Sequence, residues 1–170
     1  MAFGRTFIKS ILLTFALATA ALAEHLNTPT GTVILTITGA MQHTNIPDGA
    51  EFDLDMLRHV GSVTISTSTP WTDGVQVFEG VLLSELLANI ASTPSSMTVT
   101  AINEYQVVIP ASDAVKGGPI LAWAQNGKQL SIREKGPLWL IYPFDANPDY
   151  QKEAIHARAV WQVVQIDLLP

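Results

Sequence analysis

The hydrophobic pattern after the start of the chain alternates over residues 32–39, where Val33, Leu35 and Ile37 share one face and threonines, with Ile34, take the other. Period two over this length marks a half-buried strand. Residues 45–49 carry turn chemistry, and Asp53 precedes Leu54, Leu57 and Val60 at helical spacing, as an N-cap would. Residues 62–67 read as a second strand, followed by a polar loop over 68–74 that holds Trp71. Leu83, Leu86, Leu87 and Ile90 recur at helical spacing, which predicts a core helix closed by Pro94.

The second half of the chain is richer in strand signals. Residues 97–101 and 106–110 read as a pair around a turn at Asn103-Glu104. The strongest hairpin signal runs from 120–125 through Asn126-Gly127 to 128–132, because Asn-Gly accommodates the two positive φ values of a type I′ turn. An apolar strand over 137–143, a helical turn over 148–154 and a closing strand over 160–168 complete the pattern. Strands outnumber helices and do not alternate regularly with them. This predicts one α+β domain with mixed or antiparallel sheets, not a doubly wound parallel sheet.

The start of the chain is of a different kind. Arg5 and Lys9 precede an apolar stretch over 11–21, and Ala21-Leu22-Ala23 stands just before Glu24. These are the three parts of a secretory signal, and the apolar stretch is short for a membrane span. The expected division is a signal peptide over 1–23, cleaved after Ala23, and a domain over 24–170; an uncut N-terminal anchor is the alternative. The mature protein is then exported and, in a Gram-negative cell, periplasmic. No second long apolar run follows that would insert stably in a membrane.

Removing the leader leaves 7 basic against 15 acidic residues, a net charge of −8 with histidines neutral. That balance argues against a nucleic-acid partner and against adhesion to anionic lipid through a polybasic patch. The chain has no cysteine, which removes disulfides, iron–sulfur clusters, c-type haem, a thiolate nucleophile and any cysteine-ligated metal. His25, His43, His59 and His156 are scattered without metal-ligand spacing. Neither a Gly-x-Ser-x-Gly elbow nor a phosphate-cradling glycine loop is present.

Two clusters remain as candidate chemistry. Residues 67–74 gather Thr67, Ser68, Thr69 and Trp71 after a buried strand, where loops commonly line pockets. Trp71 serves either core packing or ligand stacking. Residues 133–137 place Arg133 and Lys135 around Glu134, either as a solvated hairpin end or as a cationic spot for an anionic group.

In order along the chain, Ile37-Thr38-Gly39-Ala40, Phe52-Asp53-Leu54, Ser66 to Gly74 (STSTPWTDG), Phe78-Glu79-Gly80-Val81-Leu82-Leu83, Asn103-Glu104-Tyr105 with Ile109-Pro110, Arg133 to Trp139 (REKGPLW), and Arg158 with Trp161-Gln162 resemble the sulfite-oxidase-type molybdopterin-binding domain. The likeness is to its short, single-domain, signal-bearing form. It implies a β-rich α+β fold. Catalytic members carry a cysteine at the end of the second strand that supplies a thiolate to molybdenum, and the matching position here is Thr67. A threonine hydroxyl is a poor replacement for a soft anionic ligand.

The resemblance therefore implies a periplasmic, non-catalytic pterin-binding protein that regulates a membrane-bound signalling enzyme, such as a cyclic-di-GMP enzyme, through that enzyme's periplasmic domain. The alternative it leaves open is a molybdopterin-dependent oxidoreductase that holds the molybdenum cofactor without a protein thiolate. A protein–protein adaptor with an empty pocket is the third reading. For the pterin, the residue types suggest Trp71 as the stacking face. Thr67, Ser68, Thr69, Asn103 and Tyr105 would be edge partners, and Arg133, Lys135 and Arg158 partners for an anionic tail.

Overall fold

In the computed structural model, which describes residues 25–170, the first alternating segment forms β1 (Leu35–Gly39). The leader expected over 1–23 lies outside the described residues. β2 (Gly49–Phe52) pairs antiparallel with β1, and Asp53 then caps α1 (Leu54–Val60). β3 (Val63–Ser68) and β4 (Val75–Leu82) make an antiparallel pair that leads into α2 (Leu83–Asn89). β5 (Ser96–Ala101) and β6 (Gln106–Pro110) form the expected hairpin, with Glu104 in its turn at a φ of 66°. β7 (Ile120–Gln125) and β8 (Lys128–Gln129) meet through Asn126 and Gly127, whose φ values of 51° and 75° suit a type I′ turn. β9 (Trp139–Ile141), α3 (Glu153–His156) and β10 (Val163–Leu169) complete the chain.

The strands assemble into two sheets. One has the order β2-β1-β10-β5-β6, where β1 and β10 run parallel and every other pairing is antiparallel. The other has the order β3-β4-β7-β8, with β9 also pairing antiparallel to β7. The result is a mixed α+β fold, as the pattern predicts. Its main core joins Leu35, Ile37, Val99 and Ile166 of the first sheet to Val81, Leu121 and Trp123 of the second, with Leu57 and Leu86 from the two longer helices. The opposite face of the second sheet is also covered, by a smaller cluster around Phe78, Ile120, Trp139 and Ile141. Burial on both faces explains why β7 reads Ile-Leu-Ala-Trp-Ala without a polar break.

Three local departures from the pattern have physical causes. β4 is absent from the sequence expectation because its second half, Gly80-Val81-Leu82, is buried on both faces and runs without a polar break into the helical spacing that starts at Leu83. Gly80 is needed there: a Cβ would stand 2.3 Å from the Leu121 carbonyl oxygen. α2 stops at Asn89, and Ala91 at a φ of 48° reverses the chain before Pro94 is reached. The second arm of the β7–β8 hairpin is short, since Ile132 begins a 3-10 turn instead of continuing the strand.

Asp53 does more than cap. One oxygen of its carboxylate accepts the Met56 N–H at 2.8 Å, and the other accepts those of Gly31 at 2.7 Å and Thr30 at 2.9 Å. These donors, Met56 foremost, hold its pKa below the ordinary 3.8. A depressed folded-state pKa gives stability that is complete above the unfolded value and is lost as pH falls through the folded one. Acid titration of the melting temperature is therefore expected to show a decline below pH 3.8 that is shallower in Asp53→Asn, which starts less stable at neutral pH.

Candidate functional site

The polar loop that follows β3 is fastened by side chains before it presents anything to solvent. Thr67 is fully buried; its hydroxyl donates to the Ser68 carbonyl at 3.2 Å and accepts the Asp145 N–H at 3.1 Å. The Asp145 carboxylate in turn accepts the Ser68 N–H and hydroxyl, both at 2.6 Å. The Ser68 hydroxyl, then its N–H, holds the Asp145 pKa below the ordinary carboxylate value. The Thr69 hydroxyl shares a 2.8 Å hydrogen bond with that of Thr72 and accepts the Trp71 N–H at 3.2 Å. All three candidate hydroxyls at 67–69 are thus engaged within the protein.

What the loop presents is Trp71. Its ring centroid lies 5.7 Å from that of Trp161, 6.1 Å from His156, 6.2 Å from Trp139 and 6.4 Å from Phe144. Trp71 and Trp161 are inclined at 72°, so their faces form a corner. The corner opens into a cleft of about 250 Å³, completed by Asn103, Tyr105, His156 and the small residues Ala101, Ala157 and Ala159. Among the described residues no Asp, Glu, Lys or Arg lines it. Asn103 accepts the Tyr105 N–H on its side-chain oxygen at 3.2 Å, which leaves its amide hydrogens as donors toward a guest. A flat heterocycle fits this chemistry: an aromatic face to stack on, with an amide, a phenol and an imidazole for its polar edge.

The structure brings together Trp71, Asn103 and Tyr105 of the candidate residues and separates the cations from them. Arg133 and Lys135 line a different groove of about 520 Å³, together with Thr72, Gln125, Asn126 and Gln129. Lys135 also lies over the Trp139 ring, 5.3 Å from its centroid. Arg158 turns away to Asp113 at 2.7 Å, and the buried Tyr142 hydroxyl donates to the same carboxylate oxygen at 2.7 Å. Burial, followed by the Asp113 carboxylate, drives the Tyr142 pKa far above its usual value. Arg158 is therefore committed to a half-buried ion pair.

His156 and Trp161 are cleft residues that sequence reasoning did not assign. The signal available for them was indirect: two small residues, Ala157 and Ala159, alternate between them and leave room beside the aromatic rings.

Comparison with known proteins identifies the family of the fold. The sequence matches the oxidoreductase molybdopterin binding domain over residues 30–146, well over half of the chain. The chain belongs to that family. No curated protein sequence matches it. Among solved structures, the sulfane dehydrogenase SoxCD from Paracoccus pantotrophus is similar, with a TM-score of 0.57 and 17% identity. The alignment covers 79% of this chain but only 37% of that one, so the likeness speaks for the fold alone.

The family implies a molybdenum-bearing pterin, and the side chains of this molybdopterin-binding domain suit its two parts unequally. The aromatic corner offers a flat organic ring a face to stack on. The metal finds no thiolate, because the chain has no cysteine, and the Thr67 oxygen is buried between two backbone partners. Among the described residues no group of three or more His, Asp or Glu side chains is placed to hold a metal ion. The donor set does not fit a protein-ligated molybdenum centre.

Thr67 is expected to behave as a structural residue. Thr67→Val preserves its volume but leaves the Asp145 N–H without an acceptor, which should lower unfolding free energy by about 1–3 kcal/mol. Urea denaturation of the two proteins measures the difference; equal stability would show that the hydroxyl does not hold the loop.

Proposed function

We propose that this protein binds a pterin in the Trp71–Trp161 cleft and performs no redox chemistry on it, acting as an exported sensor. The observation that carries the reading is the pairing of an uncharged aromatic cleft with a thiolate position occupied by a committed, buried threonine. The ring stacks on Trp71 or Trp161, and Asn103, Tyr105 and His156 meet its polar edge. At about 250 Å³ the cleft lies below the ~300–1,000 Å³ of sites that enclose drug-sized ligands, which suits a small ring system. An anionic tail would have to leave the cleft to reach Arg133 or Lys135, so a pterin with a neutral side chain is the better guest.

The sensor role and the compartment rest on the resemblance to the short, signal-bearing members and on the leader over 1–23. The partner in this reading is the periplasmic domain of a membrane-bound signalling enzyme, such as one that makes or degrades cyclic-di-GMP. N-terminal sequencing of the exported protein should begin at Glu24; an intact Met1 in the periplasmic fraction would refute the cleavage. The oxidoreductase alternative is disfavoured by the donor set.

Calorimetric titration with a neutral and a phosphorylated pterin tests the site. Stacking contributes about 0.5–1.5 kcal/mol beyond area burial, so its loss in Trp71→Ala should weaken both ligands by at least about two- to tenfold. Arg133→Ala should leave the neutral pterin unchanged, since Arg133 lines a different groove. Wild-type protein that binds neither ligand would overturn the reading, as would stoichiometric molybdenum in protein purified from its native periplasm.

A further inference from the structure

The open edges of the two sheets are not treated alike. On β2 the Asn45 side chain imitates a neighbouring strand: its amide donates to the Glu51 carbonyl at 2.8 Å, and its oxygen accepts the Glu51 N–H at 2.8 Å. On β3 the last outward N–H, that of Ser68, is taken by Asp145. Such plugs keep strand edges from pairing with other chains. β6 has no equivalent among the described residues and ends the order of its sheet.

The direction of its backbone groups follows from its pairing with β5. Ala101 donates to Tyr105 at 2.9 Å and Ala111 to Ser95 at 3.1 Å, and the register aligns Val99 with Val107 and Met97 with Ile109. Hydrogen-bonded pairs alternate along an antiparallel ladder, so residues 105, 107, 109 and 111 turn their backbone groups toward β5. The N–H and C=O groups of Gln106 and Val108, and the C=O of Pro110, therefore point away from the sheet. Val108 is 56% exposed, and residues 105–112 carry no charge.

We infer that β6 is a docking edge for a second copy of this chain, the two strands pairing antiparallel about a two-fold axis at Val108. That register is self-complementary. The two Val108 residues exchange a pair of hydrogen bonds, and each Gln106 N–H reaches the Pro110 carbonyl of the other copy, giving a ladder of four bonds. Val107 falls opposite Ile109 of the second copy on the apolar face, and Glu104 falls opposite Ser112, so no like charges meet. Pro110 has no N–H to offer and ends the ladder. The inference needs no ligand and stands apart from the pterin reading.

Sedimentation equilibrium should show wild-type protein passing from monomer to dimer as concentration rises. Val108→Pro removes an N–H that β5 does not use, and Val108→Lys places a charge on the edge; each should stay monomeric while thermal melts show it folded. Two Val108 Cα atoms in a hydrogen-bonded pair would lie ~5.5 Å apart, within disulfide range. In this cysteine-free chain, Val108→Cys should then cross-link on mild oxidation, whereas Val75→Cys, at a comparably exposed valine on the other sheet, should not. A wild-type protein that remains monomeric throughout would overturn the inference. So would folded Val108 variants that dimerise like wild type, or equal cross-linking of the Val108→Cys and Val75→Cys proteins.

Discussion

The clasp between Asp145 and residues 67–68 is the interaction on which the rest of the site depends. A carboxylate holding both the N–H and the hydroxyl of Ser68, together with a backbone N–H seated on Thr67, ties the end of β3 to the segment after β9 across 77 or 78 residues of chain. The loop that leaves this clasp carries Trp71, and Trp71 packs against both hydrophobic clusters. It closes the main core on one side and the smaller cluster on the other, and still has a face left for the cleft. A loop free to move would open both clusters to water as well as dissolving the corner with Trp161.

This arrangement also explains why a threonine suits the end of β3. The position at the end of β3 is buried and polar on one side only. Thr67 satisfies it by accepting one backbone N–H and donating to one carbonyl, a task for a small hydroxyl rather than a soft anion. The oxygen is thereby spent on holding the chain together.

Much of the fold could be read from local pattern, because its short-range devices are strong: Asp53 as a cap, Asn126-Gly127 as a turn, the Asn103-Glu104 hairpin and the alternation that becomes β1. β4 escaped because its second half is buried on both faces and merges with the apolar start of α2, leaving no polar position to mark the strand. In the site, Trp71, Asn103 and Tyr105 could be found because each lies in a turn or loop whose residue types announce it. The cations could not be placed. Whether Arg158 meets a ligand or Asp113 is decided by a contact 45 residues distant, and Arg133 lines a groove other than the cleft because of how distant segments pack. Such long-range pairings leave no period in the sequence.

The four tryptophans divide three to one. Trp71, Trp139 and Trp161 lie within 5.7–6.4 Å of one another at steep mutual angles, whereas Trp123 stands apart, 1% exposed in the main core. Indoles this close and this inclined behave as coupled oscillators, so their far-ultraviolet circular dichroism carries an exciton couplet set by the shape of the cleft corner. Trp123 emits from a dry interior. The molecule thus contains two optical reporters of different reach, one that reads the pocket and one that reads the integrity of the core, without any label having to be introduced.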